Sequence, residues 1–186
     1  MSERESSASL PRLVVAGLAG DSGKTLVTLG LIGAFRSRGF CVAPFKKGPD
    51  FIDAAWLGSA AGHPGRNLDT FLMPESAVMD SLARASGSAD LAVIEGNRGL
   101  FDGLDAAGSH STARLARLTG APTVLVIDAT KVTRTVAALV LGCQALDPEL
   151  DLAGIILNRV ATARQERVIR QAVAEATRVP VLGSVP

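Results

Sequence analysis

Residues 13–25 read Leu13-Val14-Val15-Ala16-Gly17-Leu18-Ala19-Gly20-Asp21-Ser22-Gly23-Lys24-Thr25. The apolar, partly β-branched start reads as a buried strand. The glycines that follow let the backbone curl, so that its N–H groups and the N-terminus of the next helix point at phosphate oxygens. Lys24 then reaches the β- and γ-phosphates, and the Thr25 hydroxyl binds Mg²⁺. Strand, glycine-rich loop, Lys-Thr and helix stand in the order that a phosphate-binding loop requires. The loop departs from strict spacing at its start, where Leu18 replaces the first glycine and Gly17 comes one residue early. Asp21 is unusual there, since a carboxylate repels phosphate unless it faces outward or supports the metal. The nucleotide-binding set is Gly20, Asp21, Ser22, Gly23, Lys24, Thr25 and Leu26.

Outward from this loop, short apolar runs recur at residues 41–45, 91–94, 123–127, 154–157 and 181–182. Helical spacing separates them at 24–38, 75–85, 112–118, 132–146 and 164–177. The runs are continuously apolar, as in strands buried on both faces of a parallel sheet. The alternation predicts an α/β fold, doubly wound, with a mostly parallel sheet. The segment 48–74 fits neither period and is broken by Gly58, Gly62, Pro64 and Gly65. It is expected to be an irregular substrate loop beyond the carboxyl ends of the strands.

Length and composition bound the rest. The 186 residues, 47% hydrophobic and 20% charged, suit one globular domain over 12–186 behind a flexible polar tail at 1–11. A net charge of +1 gives no footprint for nucleic acid or an anionic membrane, and 4% aromatic residues with no Tyr argue against a base-stacking surface. No apolar run approaches the roughly eighteen residues needed to span a bilayer, and the start does not read as a signal peptide. A cytoplasmic, reduced protein is expected. Cys41 and Cys143 lie in apolar runs and read as core residues. His63 and His110 fall in loops with no cysteine neighbour in view, so no Cys-His catalytic pair is expected.

Two further blocks end strands on the rim that carries the phosphate loop. Pro44-Phe45-Lys46-Lys47-Gly48-Pro49-Asp50-Phe51-Ile52-Asp53 sets two lysines beside two acids, suited to a place where phosphate, metal and an anionic substrate meet. Glu95 ends the run Val93-Ile94-Glu95 and is placed to hold Mg²⁺ directly or through water. Thr25, a phosphate oxygen and Glu95 are then metal ligands, with Asp50 as a fourth. Glu95-Gly96-Asn97-Arg98-Gly99-Leu100-Phe101-Asp102-Gly103 lets backbone approach a ligand closely, with Asp102 among its glycines. Asn158 at a late strand end either contacts an adenine edge or forms a turn. Asn158-Arg159-Val160-Ala161 stands where guanine specificity calls for Asn-Lys-x-Asp, which favours ATP over GTP.

Together these blocks, with Arg66-Asn67-Leu68-Asp69, Asp128-Ala129, Asn158-Arg159 and Leu182-Gly183-Ser184-Val185-Pro186, resemble the amidoligase domain of the cobyrinic acid a,c-diamide synthase family. Dethiobiotin synthetase is a more distant relative of the same P-loop class. The resemblance runs from Arg12 to Pro186 and implies a P-loop NTPase fold of the dethiobiotin synthetase-like type. It also implies ATP- and Mg²⁺-dependent amidation of the a and c acetates of a tetrapyrrole polycarboxylate through an acyl phosphate. In that family Lys24 and Thr25 hold phosphates and Mg²⁺, Glu95 and Asp50 hold the metal, and Lys46 neutralises the transferring phosphoryl group. Asp53 and Asp102 position substrate or ammonia, while Asn158 and the chain around Pro180 frame the adenine. Lys47, Arg66, Asn97, Arg98 and Gly99 are the candidates to face the substrate, the arginines because their forks pair with carboxylates. Full-length members also carry a glutaminase-like domain. Its absence here implies that ammonia comes free or from a partner, or that the chain is a piece of a longer protein. Relatives are commonly dimers, although no feature of this sequence requires a homodimer. The resemblance leaves a nickel sirohydrochlorin synthase, a dethiobiotin-type ligase and a regulatory ATPase as alternatives.

Overall fold

The computed structural model describes residues 10–85 and 87–186, and residues 1–9 of the expected tail lie outside the described residues. The decisive stretch forms β1 (Arg12–Gly17), and α1 (Lys24–Ser37) starts at the predicted lysine. The chain continues as β2 (Val42–Lys47), α2 (Phe51–Ala61), β3 (Arg66–Leu68), α3 (Glu75–Ala85) and β4 (Leu91–Glu95). It ends as α4 (Thr112–Thr119), β5 (Thr123–Asp128), α5 (Thr135–Leu146), β6 (Leu152–Asn158), α6 (Ala163–Ala176) and β7 (Val181–Ser184). The seven strands form one parallel sheet in the order β3-β2-β4-β1-β5-β6-β7.

Successive side chains of a strand point to opposite faces. Val14, Ile94, Leu125 and Ile127 therefore enter a core shared with residues of α3, α4, α5 and α6. Val15, Val93 and Val126 enter a smaller core against α1 and α2. The strand order also fixes where a ligand sits. From β1 the chain passes over β4 to reach β2, and from β4 it passes over β1 to reach β5. Connections that leave two adjacent strands in opposite directions open a crevice at their carboxyl ends.

The segment 48–74 is not irregular, contrary to expectation. Asp50 caps α2 by accepting the Asp53 N–H at 2.9 Å, and Gly62 ends the helix at φ 74°. The helical period is masked because Phe51, Ile52 and Trp56 are apolar yet exposed. The glycines that looked like breaks serve close packing: a Cβ on Gly65 would lie 2.1 Å from the Ala54 carbonyl, and one on Gly58 would lie 2.7 Å from the Gly65 nitrogen. The returning chain thus lies directly on the α2 backbone. At the other end, Leu10 and Pro11 belong to the packed domain rather than to a tail. Leu10 is buried, and the Pro11 carbonyl accepts the Ala92 N–H at 2.8 Å. No helix of the described residues is long and apolar enough to cross a membrane.

Gly65→Ala should cost about 1–3 kcal/mol, because the added methyl must push α2 and β3 apart. A urea melt with an unchanged midpoint would contradict this packing.

Candidate active site

The phosphate loop is tied down from two sides. The Gly17 carbonyl accepts the Leu100 N–H at 2.6 Å, which joins it to the loop after β4. Asn158, buried at the end of β6, donates its amide to the Ser22 carbonyl at 3.0 Å. Gly23 sits at φ 92°, and a Cβ there would lie 2.1 Å from the Asn158 Nδ2, so the loop closes over that amide only with glycine at this position. Within the loop, Lys24 Nζ donates to the Ala19 carbonyl at 2.8 Å and Ser22 Oγ to the same oxygen at 3.1 Å. Asp21 takes a left-handed φ of 54°, and Gly20 lies on the exposed tip. Burial, then the Lys46 charge, pulls the Lys24 ammonium below its ordinary value.

Facing this loop is a buried cluster of charge. Lys46 and Glu95 are in register on the adjacent strands β2 and β4. Lys46 Nζ donates to Asp53 Oδ2 at 2.6 Å, to Glu95 Oε1 at 2.9 Å and to the Gly96 carbonyl at 3.2 Å. All three ammonium protons are therefore used. Glu95 Oε1 also accepts the Thr25 hydroxyl at 2.6 Å, joining the cluster to the start of α1. Glu95 is wholly buried, and its Oε2 has no hydrogen-bond partner among the described residues. Burial pushes the Glu95 carboxyl above its ordinary range, with Lys46 and Thr25 opposing and Asp53 adding to the rise. For Lys46 burial acts downward, but its bonds and charge attraction with Asp53 and Glu95 prevail and the pKa is raised.

Asp102 Oδ2 accepts the Gly99 N–H at 2.9 Å, and its charge reaches Lys24. Lys47 borders Asp69, Lys46 and Arg98 electrostatically, and Asn97 lies against Gly48. The structure thus gathers Lys24, Thr25, Lys46, Lys47, Asp53, Glu95, Asn97, Arg98, Gly99 and Asp102 on one rim. Others stand apart. Asp50 spends one carboxylate oxygen as the α2 cap, and no hydrogen bond joins it to Thr25 or Glu95 among the described residues, so it is Asp53 that joins the cluster. Leu26 is exposed beside an apolar groove between α1 and β7. Pro180 precedes β7 and its carbonyl accepts the Ile155 N–H, three residues before Asn158 on the parallel β6. At about 3.3 Å per residue it lies some ~10 Å below the rim and cannot frame a base there.

Arg66, in register with Phe45, borders a separate cavity of about 210 Å³ that runs along β2 to Cys41 and His63. Cys41 is not a core residue: it is half-buried, with Sγ 3.2 Å from His63 Nε2 and 2.9 Å from the Ser88 carbonyl. The absence of a Cys-His pair expected from sequence is therefore corrected. Cys143 is buried as expected, and burial pushes its thiol upward. The sequence reading also missed two supports. Asn67 donates to the carbonyls of Gly48 and Asp50, and Thr112 Oγ1 bridges the N–H and carbonyl of Asn97 at 3.2 Å each. Both contacts join loops distant in sequence, and no local pattern reports them.

The model of the CobQ/CobB/MinD/ParA nucleotide binding domain family matches residues 13–186. The chain is 46% identical over 177 residues to a protein of Magnetococcus marinus named cobyrinate a,c-diamide synthase, covering 95% of this chain and 38% of that protein. It is 49% identical over 179 residues to the hydrogenobyrinate a,c-diamide synthase of Mycobacterium tuberculosis, covering 94% and 39%. The chain thus spans well under half the length of these curated relatives. Among solved structures, hydrogenase maturation factor HypB of Archaeoglobus fulgidus matches at TM-score 0.62 and 16% identity, over 95% of this chain and 82% of its own. Chloroplast FtsY of Physcomitrella patens matches at TM-score 0.64 and 16% identity, over 92% and 57%. At that identity both show the fold alone.

Lys46→Met should destabilise the fold by about 3–5 kcal/mol at neutral pH, since it leaves Asp53 and Glu95 as unpaired charges. Adding Glu95→Gln should recover part of that loss; strictly additive losses in denaturant melts would show the two side chains to be uncoupled. Alkylation of the native protein should label Cys41 and spare Cys143, read by peptide mass spectrometry.

Proposed function

The chain belongs to the CobQ/CobB/MinD/ParA nucleotide-binding domain family, and from that premise we propose that it is the ATP- and Mg²⁺-dependent amidoligase domain of a cobyrinate or hydrogenobyrinate a,c-diamide synthase. The observation that carries the reading is Glu95. A fully buried carboxylate with an unpartnered oxygen is costly unless a cation completes it, and Thr25 supplies a second oxygen beside it. This donor set fits Mg²⁺, with Thr25 and Glu95 as protein ligands and phosphate oxygens and water for the remainder. Bound there, Mg²⁺ would neutralise charge on the β- and γ-phosphates.

The remaining work falls to the chain's own groups. Backbone N–H groups of residues 20–25 and the Lys24 ammonium bind the β- and γ-phosphates, after Lys24 leaves the Ala19 carbonyl. Lys46, kept protonated by Asp53, presents its charge to the transferring phosphoryl group. An acetate oxygen of the macrocycle attacks the γ-phosphorus, the bond to the β,γ-bridging oxygen breaks, and ADP leaves. Ammonia then attacks the acyl carbon, the carbon–oxygen bond to phosphate breaks, and phosphate departs with loss of a proton from nitrogen. Two such rounds amidate the a and c acetates. Ammonia is supplied free or by a glutaminase domain. Asp53 and Asp102, the latter held on the Gly99 N–H, would help to position substrate or ammonia.

Incubation with ATP, Mg²⁺, ammonia and either cobyrinic or hydrogenobyrinic acid should give mono- and diamides by mass spectrometry. Lys24→Ala and Glu95→Gln should each lower acid-dependent ADP release by about 100-fold or more while leaving the melting transition in place. A Glu95→Gln protein with normal turnover would overturn the metal assignment. The absence of amide from both acids would overturn the proposed activity.

A further inference from the structure

Lys47 and Arg98 are left over from the phosphoryl cluster, and they stand among apolar side chains that face water. Lys47 follows Lys46 on β2, pairs in register with Leu68 just before Asp69, and feels the charges of Asp69 and Arg98. Asp69 Oδ1 accepts the Phe71 N–H at 2.8 Å, which fixes the loop after β3 next to these cations. Phe71 packs edge-on against His110, with centroids 5.6 Å apart, and His110 Nδ1 lies 2.9 Å from Thr70 Oγ1. That contact ties in the loop after β4, where the Leu104 N–H donates to the Ser109 carbonyl at 2.8 Å. On the other side, Gly48 meets Asn97, and two residues later Asp50 starts α2 with Phe51 and Ile52. Phe51 is 83% exposed, Ile52 70%, Phe71 63%, Leu72 64% and Leu104 69%. Five large apolar side chains, from the first turn of α2 and the loops after β3 and β4, thus open to water beyond the ends of the neighbouring strands β3, β2 and β4, an arrangement that marks a contact surface.

We propose that Phe51, Ile52, Phe71, Leu72 and Leu104 form an apolar collar that takes the flat face of the tetrapyrrole, while Lys47 and Arg98 take its peripheral carboxylates. The proposal rests on the function proposed above. Two features favour a ring over a protein partner. Lys47 ends β2, which lies between β3 and β4 in the sheet, and Arg98 follows β4, so the cations sit at the strand ends between the segments that carry the apolar side chains, which matches a ligand with apolar faces and an acidic edge. A protein seated on the collar would also close the mouth through which the acceptor must reach Lys46. His110 further borders a cleft of about 700 Å³ between the loop after β4 and α4, which leaves depth on that side for ring substituents.

The protein's one tryptophan, Trp56, is exposed on the helix that carries Phe51 and reports docking by fluorescence quenching. Cobyrinic and hydrogenobyrinic acids are titrated into the 186-residue chain with Mg²⁺ and a non-hydrolysable ATP analogue. Phe51→Ala and Phe71→Ala should each weaken the acid by about tenfold, and Phe51→Leu should restore most of it. Analogue affinity and melting temperature should stay as in the wild type. Unchanged acid affinity in both alanine variants, with a wild type that binds, would overturn the collar alone. A wild type that binds neither acid would overturn the proposed function and the collar with it. Loss of a dimer in the alanine variants, by sedimentation, with acid affinity retained would make the patch a subunit interface instead.

Discussion

A lysine ammonium that is almost out of water, with its three protons spent on Asp53, Glu95 and the Gly96 carbonyl, is the constraint about which the rest is arranged. Its bonds require three elements at once: β2 for Lys46, β4 for Glu95 and α2 for Asp53. A one-residue slip between β2 and β4 would turn one of the two charges to the opposite face of the sheet, into apolar packing. The register of the sheet is thus set by polar demand at the rim as well as by apolar demand in the core. Thr25 extends the same network to α1, so the phosphate loop and the acid strand are positioned by one set of bonds.

The cluster is not balanced. Two carboxylates surround one ammonium, and Glu95 keeps an oxygen with no donor among the described residues. A net negative charge held in a dry crevice is unfavourable by itself. It is also the arrangement that accepts a divalent cation with least rearrangement, since the desolvation of Glu95 is already complete. Lys24 stands outside this network on the Ala19 carbonyl, which is a neutral acceptor and a weaker hold than a carboxylate. In the proposed reaction Lys24, which moves to meet phosphate, is held loosely, and Lys46, which stays, is held by two charges.

Much of this was legible in the sequence, for a physical reason. A phosphate loop is a local object: strand, glycines, Lys-Thr and helix follow one another, and the structure starts α1 at Lys24 as read. Lys46 and Glu95 were legible because each ends an apolar run, and parallel strands end on the same rim. What failed was non-local or masked. Pro180 lies at the wrong end of β7 because short runs do not announce how far they extend below the rim. Cys41 and His63 meet across 22 residues, through the turn that ends α2. The adjacency of β1 and β4, which makes the crevice, is a matter of strand order that no local pattern encodes. The helix α2 was hidden because its apolar side chains point the wrong way for a core.

That last failure carries information, since sequence rules tend to break where function imposes its own demands. Phe51 and Ile52 face water in the first turn of a helix whose Asp53 turns to Lys46, and Trp56 is exposed in the next turn. The helix is held at both ends, by the Asp50 cap and the Lys46–Asp53 pair at its start and by the His63–Cys41 contact just past its end. Gly58 and Gly65 bring the following chain onto its backbone along the side. A surface helix carrying apolar side chains outward gains little from core burial on that face, so these ties must hold it. A helix held this way keeps Asp53 on Lys46 and the exposed Phe51 in fixed relation. If the proposed reaction and collar hold, the distance between them is set by the helix itself rather than by loop closure.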